Sequence, residues 1–79
     1  MQAEINEKIR VVTLFEEGKI KPFLFSWHKK IYKVLQVPFS YSKDIGKDKM
    51  YFFSIQTEGG GFEISFNSNK FSWEITKTL

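Results

Sequence analysis

Apolar and polar residues alternate along most of this chain, and clusters of turn-forming residues interrupt the alternation at several points. Phe, Ile, Val, Tyr and Thr fill the alternating stretches, which is typical of strands that bury one face. Turn-forming residues mark the breaks at 17–18, 28–30, 42–48, 59–61 and 67–69. The pattern predicts about six strands, over residues 5–16, 19–27, 31–41, 49–57, 62–67 and 70–77.

The C-terminal half also predicts which residues pair, because a two-residue turn fixes the register of a hairpin. A turn at Gly59–Gly60 pairs Ile55 with Ile64, and a turn at Ser68–Asn69 pairs Ile64 with Trp73. Both turns independently place the same apolar residues on one face: Tyr51, Phe53, Ile55, Phe62, Ile64, Phe66, Phe71, Trp73 and Ile75. The other face is polar except for Phe52, and carries Ser54, Gln56, Glu63, Ser65, Ser72, Glu74 and Thr76. We therefore predict a three-stranded meander with one buried face and one solvated face.

The N-terminal half predicts a strongly curved sheet. A turn at His28–Lys29 pairs Phe25 with Tyr32 and extends into an aromatic stripe. The alternate residues are apolar too, which indicates that both faces are partly covered: Leu24, Ile31, Leu35 and Val37. Pro22 and Pro38 lack an N–H and belong at edges, strand ends or bulges. The predicted fold class is all-β, a small antiparallel meander that forms a curved sheet, a roll or a half-open barrel.

Length and composition support one small domain. The chain has 79 residues, of which 18% are aromatic and none is cysteine. Disulfides and thiolate–metal sites are therefore excluded, and dense aromatic packing is the expected source of stability. The acidic opening and the short apolar runs resemble neither a signal peptide nor a membrane span. We expect a soluble, cytoplasmic single domain over residues 1–79 with no membrane partner.

Part of the chain resembles a known family. The run Lys21-Pro-Phe-Leu-Phe-Ser-Trp-His-Lys-Lys-Ile-Tyr-Lys-Val34 is similar to the pattern Pro-x-x-Phe-x-Trp-x-Gly-Arg-x-Tyr-x-Val. Residues 51–53, 61–66 and 72–75 fit the same family, a small bacterial β-domain of unknown function found alone and appended to Y-family-polymerase-like proteins. Lys29 departs from the pattern where glycine is expected, and residues 39–41 replace an expected Trp. The resemblance covers roughly residues 20–76, and it implies a fold without supplying catalytic residues.

Residues with catalytic or metal-binding chemistry are few and scattered, which argues against an enzyme. His28 is the one histidine, and the sequence assembles no set of His, Cys or carboxylate ligands around it. No Ser or Thr has an evident neighbouring base. The glycines at 59–61 precede a predicted strand rather than a helix, which favours a hairpin turn over a phosphate-binding loop. We expect no catalytic residue, no metal and no cofactor.

A basic, aromatic-rich segment is the most suggestive functional feature. No acidic residue occurs between Gly18 and Lys43, although the net charge of the whole chain is only +3. Lysines that hold phosphates beside rings that stack on bases are typical of single-stranded nucleic-acid binding by small barrels. The hairpin 19–33 carries the candidate residues for binding nucleic acid or another partner: Lys19, Lys21, Trp27, His28, Lys29, Lys30, Tyr32 and Lys33. A domain this small needs many rings for its core, which leaves few of them to stack.

A protein-interaction module is the other interpretation. A small curved sheet has exposed edges, which accept an additional strand or pair with a second copy. The segment 9–15, Ile-Arg-Val-Val-Thr-Leu-Phe, carries apolar residues on both faces. Either the domain covers both faces itself, as in a closed barrel, or a partner protein or second copy covers one. We expect a non-enzymatic accessory or interaction module, with the single-stranded nucleic-acid binder as the alternative.

Overall fold

The computed structural model describes residues 3–79, which form one antiparallel sheet. Its seven strands are β1 (Ala3–Glu16), β2 (Lys19–Trp27), β3 (Lys30–Lys33), β4 (Gln36–Ile45), β5 (Asp48–Thr57), β6 (Gly60–Asn67) and β7 (Ser72–Thr78). They lie in the order β3-β2-β1-β7-β6-β5-β4, and the sheet curls into a half-open barrel. The predicted all-β class and curved antiparallel sheet are confirmed. Over residues 3–79, no helix is long and apolar enough to cross a membrane.

The segment 31–41, predicted as one strand, is divided between the two edges of the sheet. Its first part, β3, pairs with β2, and its second part, β4, pairs with β5. Between them the chain crosses the open side of the barrel, where Val34 N donates to Phe23 O and Leu35 N donates to Gln56 O, each at 2.8 Å. Apolar residues continue through the crossing, so nothing in the pattern marks the change of pairing partner.

The polar segment 42–48, predicted as a loop of turn-forming residues between two strands, is largely strand. β4 continues to Ile45, and a tight turn at Gly46–Lys47 leads directly into β5. Asn67 Nδ2 donates to Asp48 Oδ2 at 2.9 Å and ties this turn to the end of β6. The prediction of a loop is wrong because the β4–β5 ladder extends to the turn itself.

The concave face of the curled sheet forms the core. One cluster there contains the buried side chains Phe25, Phe53, Ile55, Phe62, Ile64, Phe66, Trp73 and Ile75. All of these except Phe25 belong to the face predicted from the C-terminal half, so that prediction is confirmed for them. Tyr51, which was predicted with them, is half-buried and packs against the cluster. Each buried ring removes about 150–250 Å² from water, which lets so short a chain form a core without disulfides.

The β5–β6 hairpin is two residues out of the predicted register. Ile55 pairs with Phe62 rather than with Ile64, because the turn lies at Glu58–Gly59. Thr57 Oγ1 accepts a hydrogen bond from the N–H of Gly59 at 3.0 Å, which favours the earlier turn. A shift of two residues leaves every side chain on its face, and the buried face therefore survives the error.

The β6–β7 hairpin is also two residues out of the predicted register, and here one residue changes its environment. Phe66 pairs with Trp73 rather than with Phe71. Asn67 Oδ1 accepts hydrogen bonds from two N–H groups of the turn, each at 3.0 Å, and widens the turn to residues 68–71. Phe71 lies in this turn with a φ of 52° and is 77% exposed, so its predicted burial is wrong.

The convex face of β5–β7 is polar as predicted, but part of it is buried. Glu63 and Ser65 are both buried. Thr76 Oγ1 donates to Glu63 Oε1 at 2.7 Å, and Tyr41 Oη donates to Glu63 Oε2 at 3.3 Å. The predicted exposure of Glu63 is wrong because side chains of other strands converge on its carboxylate.

Both prolines lie where a strand tolerates a missing N–H, as predicted. The register of β1 against β2 shifts beside Pro22, between Val12 and Thr13. Pro38 lies within the irregular stretch 36–39 of the edge strand β4. Edges and bulges are the positions that sheets reserve for proline, because it cannot donate to the ladder.

Two hairpin turns share a left-handed backbone. Glu17 and Gly18, with φ of 51° and 74°, join β1 to β2, and His28 and Lys29, with φ of 52° and 62°, join β2 to β3. Two successive positive φ values are typical of a type I′ turn, whose twist matches that of the flanking strands. The turn predicted at His28–Lys29 is confirmed, and it holds two L-residues in a region that glycine adopts at lower cost.

Candidate interaction surface

The two rings among the candidate residues of hairpin 19–33, Trp27 and Tyr32, face the barrel interior. Trp27 and Tyr32 are half-buried and pack against the core cluster. The Tyr32 ring is stacked on Phe25 with 5.0 Å between centroids, and the Trp27 ring meets Phe62 at a steep angle with 5.9 Å between centroids. Other rings of this chain therefore occupy much of the surface that would be needed for stacking on bases.

The lysines of the same hairpin lie at the surface. All five are exposed: Lys19, Lys21, Lys29, Lys30 and Lys33. Lys21 Nζ forms an ion pair with Glu16 Oε1 at 3.2 Å. Lys30 Nζ lies 5.4 Å from the centroid of the Tyr32 ring, so the structure brings one predicted lysine onto a predicted ring. Within residues 3–79, no other lysine of the hairpin makes a cation–π contact with Trp27 or Tyr32.

His28 belongs to a cluster that the sequence does not reveal. Glu7 Oε1 accepts a hydrogen bond from Trp27 Nε1 at 3.0 Å and lies 3.0 Å from His28 Nε2. These hydrogen bonds, with that from Trp27 the stronger influence, hold the pKa of the Glu7 carboxyl below its ordinary value. The ladder of β1 is irregular between Glu4 and Glu7, where Asn6 has a φ of 55°. Twenty residues separate Glu7 from Trp27, so no local spacing signals the contact.

The outer side of β1, β2 and β3 carries exposed apolar residues. Val12, Leu14 and Ile31 are 56%, 40% and 60% exposed. The alternate residues of β1, Ile9 and Val11, pack against the core. The segment 9–15 is thus apolar on both faces, and the described chain covers only one of them. We define the convex patch as Val12, Leu14, Leu24 and Ile31 together with the cations Arg10, Lys21 and Lys33.

Cations border the apolar part of the convex patch. Leu24 pairs with Val12 on one side and with Lys33 on the other. The charged Lys33 side chain therefore lies in the same cross-strand row as two apolar side chains. Arg10 shares the next row with Ile31, through the strand between them. Within residues 3–79, neither Arg10 nor Lys33 forms an ion pair. The patch therefore presents uncompensated positive charge beside aliphatic surface.

A second exposed surface lies on the edge strand β4. The Tyr41 ring is stacked on Phe52 with 4.9 Å between centroids, and Lys43 Nζ lies 5.2 Å from the centroid of the same Phe52 ring. Phe39 lies beside Tyr41, with 5.6 Å between centroids, and is exposed. Burial raises the pKa of the Tyr41 phenol, and the neighbouring Glu63 carboxylate raises it further. This surface therefore carries Phe39 and Tyr41, two rings of the third predicted strand, 31–41.

Among the described residues, no three His, Cys, Asp or Glu side chains lie close enough together to hold a metal ion. Comparison of the chain with models of protein families, with curated proteins and with solved structures finds no match. The family resemblance of residues 20–76 stays a prediction, and the surfaces of the molecule carry the functional argument.

Proposed function

We propose that this chain is a non-enzymatic interaction module whose convex patch binds an acidic, partly apolar segment of a partner protein. The observation that carries the proposal is the outer face of β1, where Val12 and Leu14 are exposed although the other face lines the core. β1 lies between β2 and β7, inside the sheet rather than at its edge. Contiguous apolar surface with a polar rim is typical of an interaction site, because its burial is favourable once a partner covers it.

The charge at the rim indicates the chemistry of the partner. Arg10 and Lys33 lie beside the aliphatic residues and have no acidic partner within the described chain. Carboxylates on the bound segment would pair with these cations and orient the segment. Its apolar side chains would cover Val12 and Ile31, at about 25 cal/mol for each Å² of apolar surface removed from water.

The same surface is less suited to single-stranded nucleic acid. Bases stack on aromatic rings, which contribute about 1–3 kcal/mol per base. The apolar members of the convex patch are all aliphatic. Trp27 and Tyr32, the predicted stacking residues, pack against the core instead. A protein partner therefore matches the aliphatic character of the patch better than a nucleic acid does.

Selection from a phage library of random peptides against the immobilised protein tests the proposal. We expect enriched peptides to combine Asp or Glu with Leu, Ile or Phe. The double variant Val12→Ser/Ile31→Ser should bind these peptides about tenfold more weakly or worse, because truncating a central contact typically costs more than 1 kcal/mol. Arg10→Glu should weaken binding most at low salt, where charges are least screened. Phe71→Ser is the matched control, since it removes an exposed apolar side chain outside the patch.

Two results would overturn the proposal. One is enrichment of peptides without acidic residues, and the other is unchanged affinity of the folded Val12→Ser/Ile31→Ser variant, with circular dichroism verifying its fold. Titration with a fluorescent oligo(dT) at two salt concentrations tests the alternative directly. Binding that falls steeply with salt and is lost in Arg10→Glu would favour the nucleic-acid function over the protein-binding one.

A further inference from the structure

The strand β4 is an edge of the sheet with an unoccupied hydrogen-bonding side. β4 is last in the strand order and has β5 as its single neighbour. Outside the β4–β5 ladder, no backbone–backbone hydrogen bond among the described residues involves positions 37–45. Every residue of β4 is exposed, including those on its concave side. Alternate residues of such an edge direct their N–H and C=O groups outward, where they can pair with another strand.

The sequence of β4 complements itself when two copies run antiparallel. Its regular part extends from Phe39, after the irregular stretch, to Ile45, before the turn, and its centre is Ser42. We propose that two copies of this chain pair through β4 with Ser42 opposite Ser42, so that the two sheets become one continuous sheet. The proposal is independent of the convex patch, which lies on β1, β2 and β3.

In this register, each remaining residue of the stretch 39–45 lies opposite a residue of the second copy with which it can interact favourably. Tyr41 lies opposite Lys43 of the second copy, which extends the lysine–ring contact that Lys43 already makes within its own chain. Phe39 lies opposite Ile45 of the second copy, and this apolar pair covers two exposed side chains. On the concave side, Ser40 lies opposite Asp44 and its hydroxyl can donate to the carboxylate.

Neighbouring registers are worse matched. Directly opposite residues must share a face, so the centre can move only by whole residues along the strand. A centre at Lys43 places two lysines face to face, which is destabilising. A centre at Tyr41 places Asp44 opposite Pro38, which has no N–H and lies in the irregular stretch. The centre at Ser42 also uses the whole regular stretch, which no other centre does.

Disulfide trapping tests both the dimer and its register, and the chain has no native cysteine to interfere. Directly opposite residues in an antiparallel pair have Cα atoms about 4.5–5.5 Å apart, within the range that a disulfide spans. The variant Ser42→Cys should therefore form a covalent dimer in a buffer of oxidised and reduced glutathione. Ser40→Cys is the matched control, because the proposed register separates the two copies of residue 40 by four positions, or about 14 Å. A mixture of Ser40→Cys with Asp44→Cys should form the heterodimer.

A non-covalent measurement tests the same contact. A single strand pair buries less than the roughly 1,200 Å² of a standard interface, so we expect a weak dimer in sedimentation velocity at high concentration. Ser42→Lys sets two lysines against each other at the two-fold axis and should be monomeric, whereas Ser42→Thr should retain the dimer. The proposal is refuted if Ser42→Cys stays monomeric, or if Ser40→Cys alone cross-links equally well. It is also refuted if Ser42→Lys associates like the unmodified chain.

Discussion

The β1–β2 and β2–β3 turns have one backbone shape but differ in residue type at the second turn position. Gly18 has a φ of 74° in the first turn, and Lys29 has a φ of 62° in the second. A Cβ atom added at Gly18 would meet no heavy atom within 4 Å, so a side chain there has room. Lys29 is likewise exposed and forms no ion pair within residues 3–79. Exchanging glycine and lysine at these positions therefore tests backbone conformation with little change in packing.

The expected change in the free energy of unfolding follows from two opposing effects of glycine at a turn position. An L-residue in the left-handed region costs roughly 1–2 kcal/mol. Glycine avoids that cost, but it loses about 0.5–1 kcal/mol more conformational freedom on folding than alanine does. We expect Lys29→Gly to raise the free energy of unfolding by about 0.5–1 kcal/mol, which raises Tm by roughly 2–8 °C in a domain of this size. Gly18→Lys should lower the free energy of unfolding by a similar amount.

Urea denaturation followed by tryptophan fluorescence measures both changes. If only stability has changed, the slope of the free energy of unfolding against urea concentration stays the same. The double variant Gly18→Lys/Lys29→Gly should lie close to the unmodified protein, because the two effects are opposite and the sites are independent. Lys29→Ala is the control for loss of the lysine side chain, since alanine keeps the left-handed cost. If Lys29→Gly is less stable than Lys29→Ala, the turn is not strained and the reasoning fails.

Two further predictions concern the core and the Glu7 cluster. Phe25→Ala should lower the free energy of unfolding by about 3–5 kcal/mol, because Phe25 is fully buried. Phe71→Ala, a change of the same size at an exposed ring, should stay within about 0.5 kcal/mol in the same denaturation assay. A comparable loss in both variants would contradict this assignment of the core. The folded-state pKa of Glu7 lies below its ordinary value of 4.5, so its ionised form stabilises the fold above that pH, and this contribution is lost as the pH falls through the lowered pKa. The emission of Trp27, which donates to Glu7, should change over that range below pH 4.5 and should lose this step in Glu7→Gln. Persistence of the step in Glu7→Gln would assign it to another group.

Alternation alone is sufficient to find the buried face of the C-terminal strands. Its period of two residues makes the face insensitive to a register error of two, and both hairpins show that error. The errors arise from side chains inside the turns, where Thr57 and Asn67 bond to backbone N–H groups. Such local competition does not appear in a hydrophobic pattern, and it is the reason why Phe71 lies in a turn instead of the core.

The interaction surface could be predicted only in part. The apolar residues on both sides of 9–15 correctly indicate a strand with two apolar faces, but the pattern cannot say whether the chain covers both. The sequence likewise does not determine whether the rings of Trp27 and Tyr32 point into the barrel or toward solvent. Their direction depends on how the sheet curls, and in the structure both rings pack against the core. The contact of Glu7 with Trp27 joins residues far apart in sequence beside an irregularity of β1, and neither feature has a local signature.

The pairing of the first strand with the last has a consequence for the rate and order of folding. Ala3 pairs with Thr78, whereas β2 pairs with β3 and β5 pairs with β6 across tight turns. Local hairpins close quickly, but the β1–β7 ladder must join the two ends of the described chain and loses more loop entropy. During synthesis this ladder cannot form until β7 has left the ribosome. The inner edge of β1 therefore stays open to wrong partners longest, and slow closure there is the step at which we expect aggregation to compete with folding.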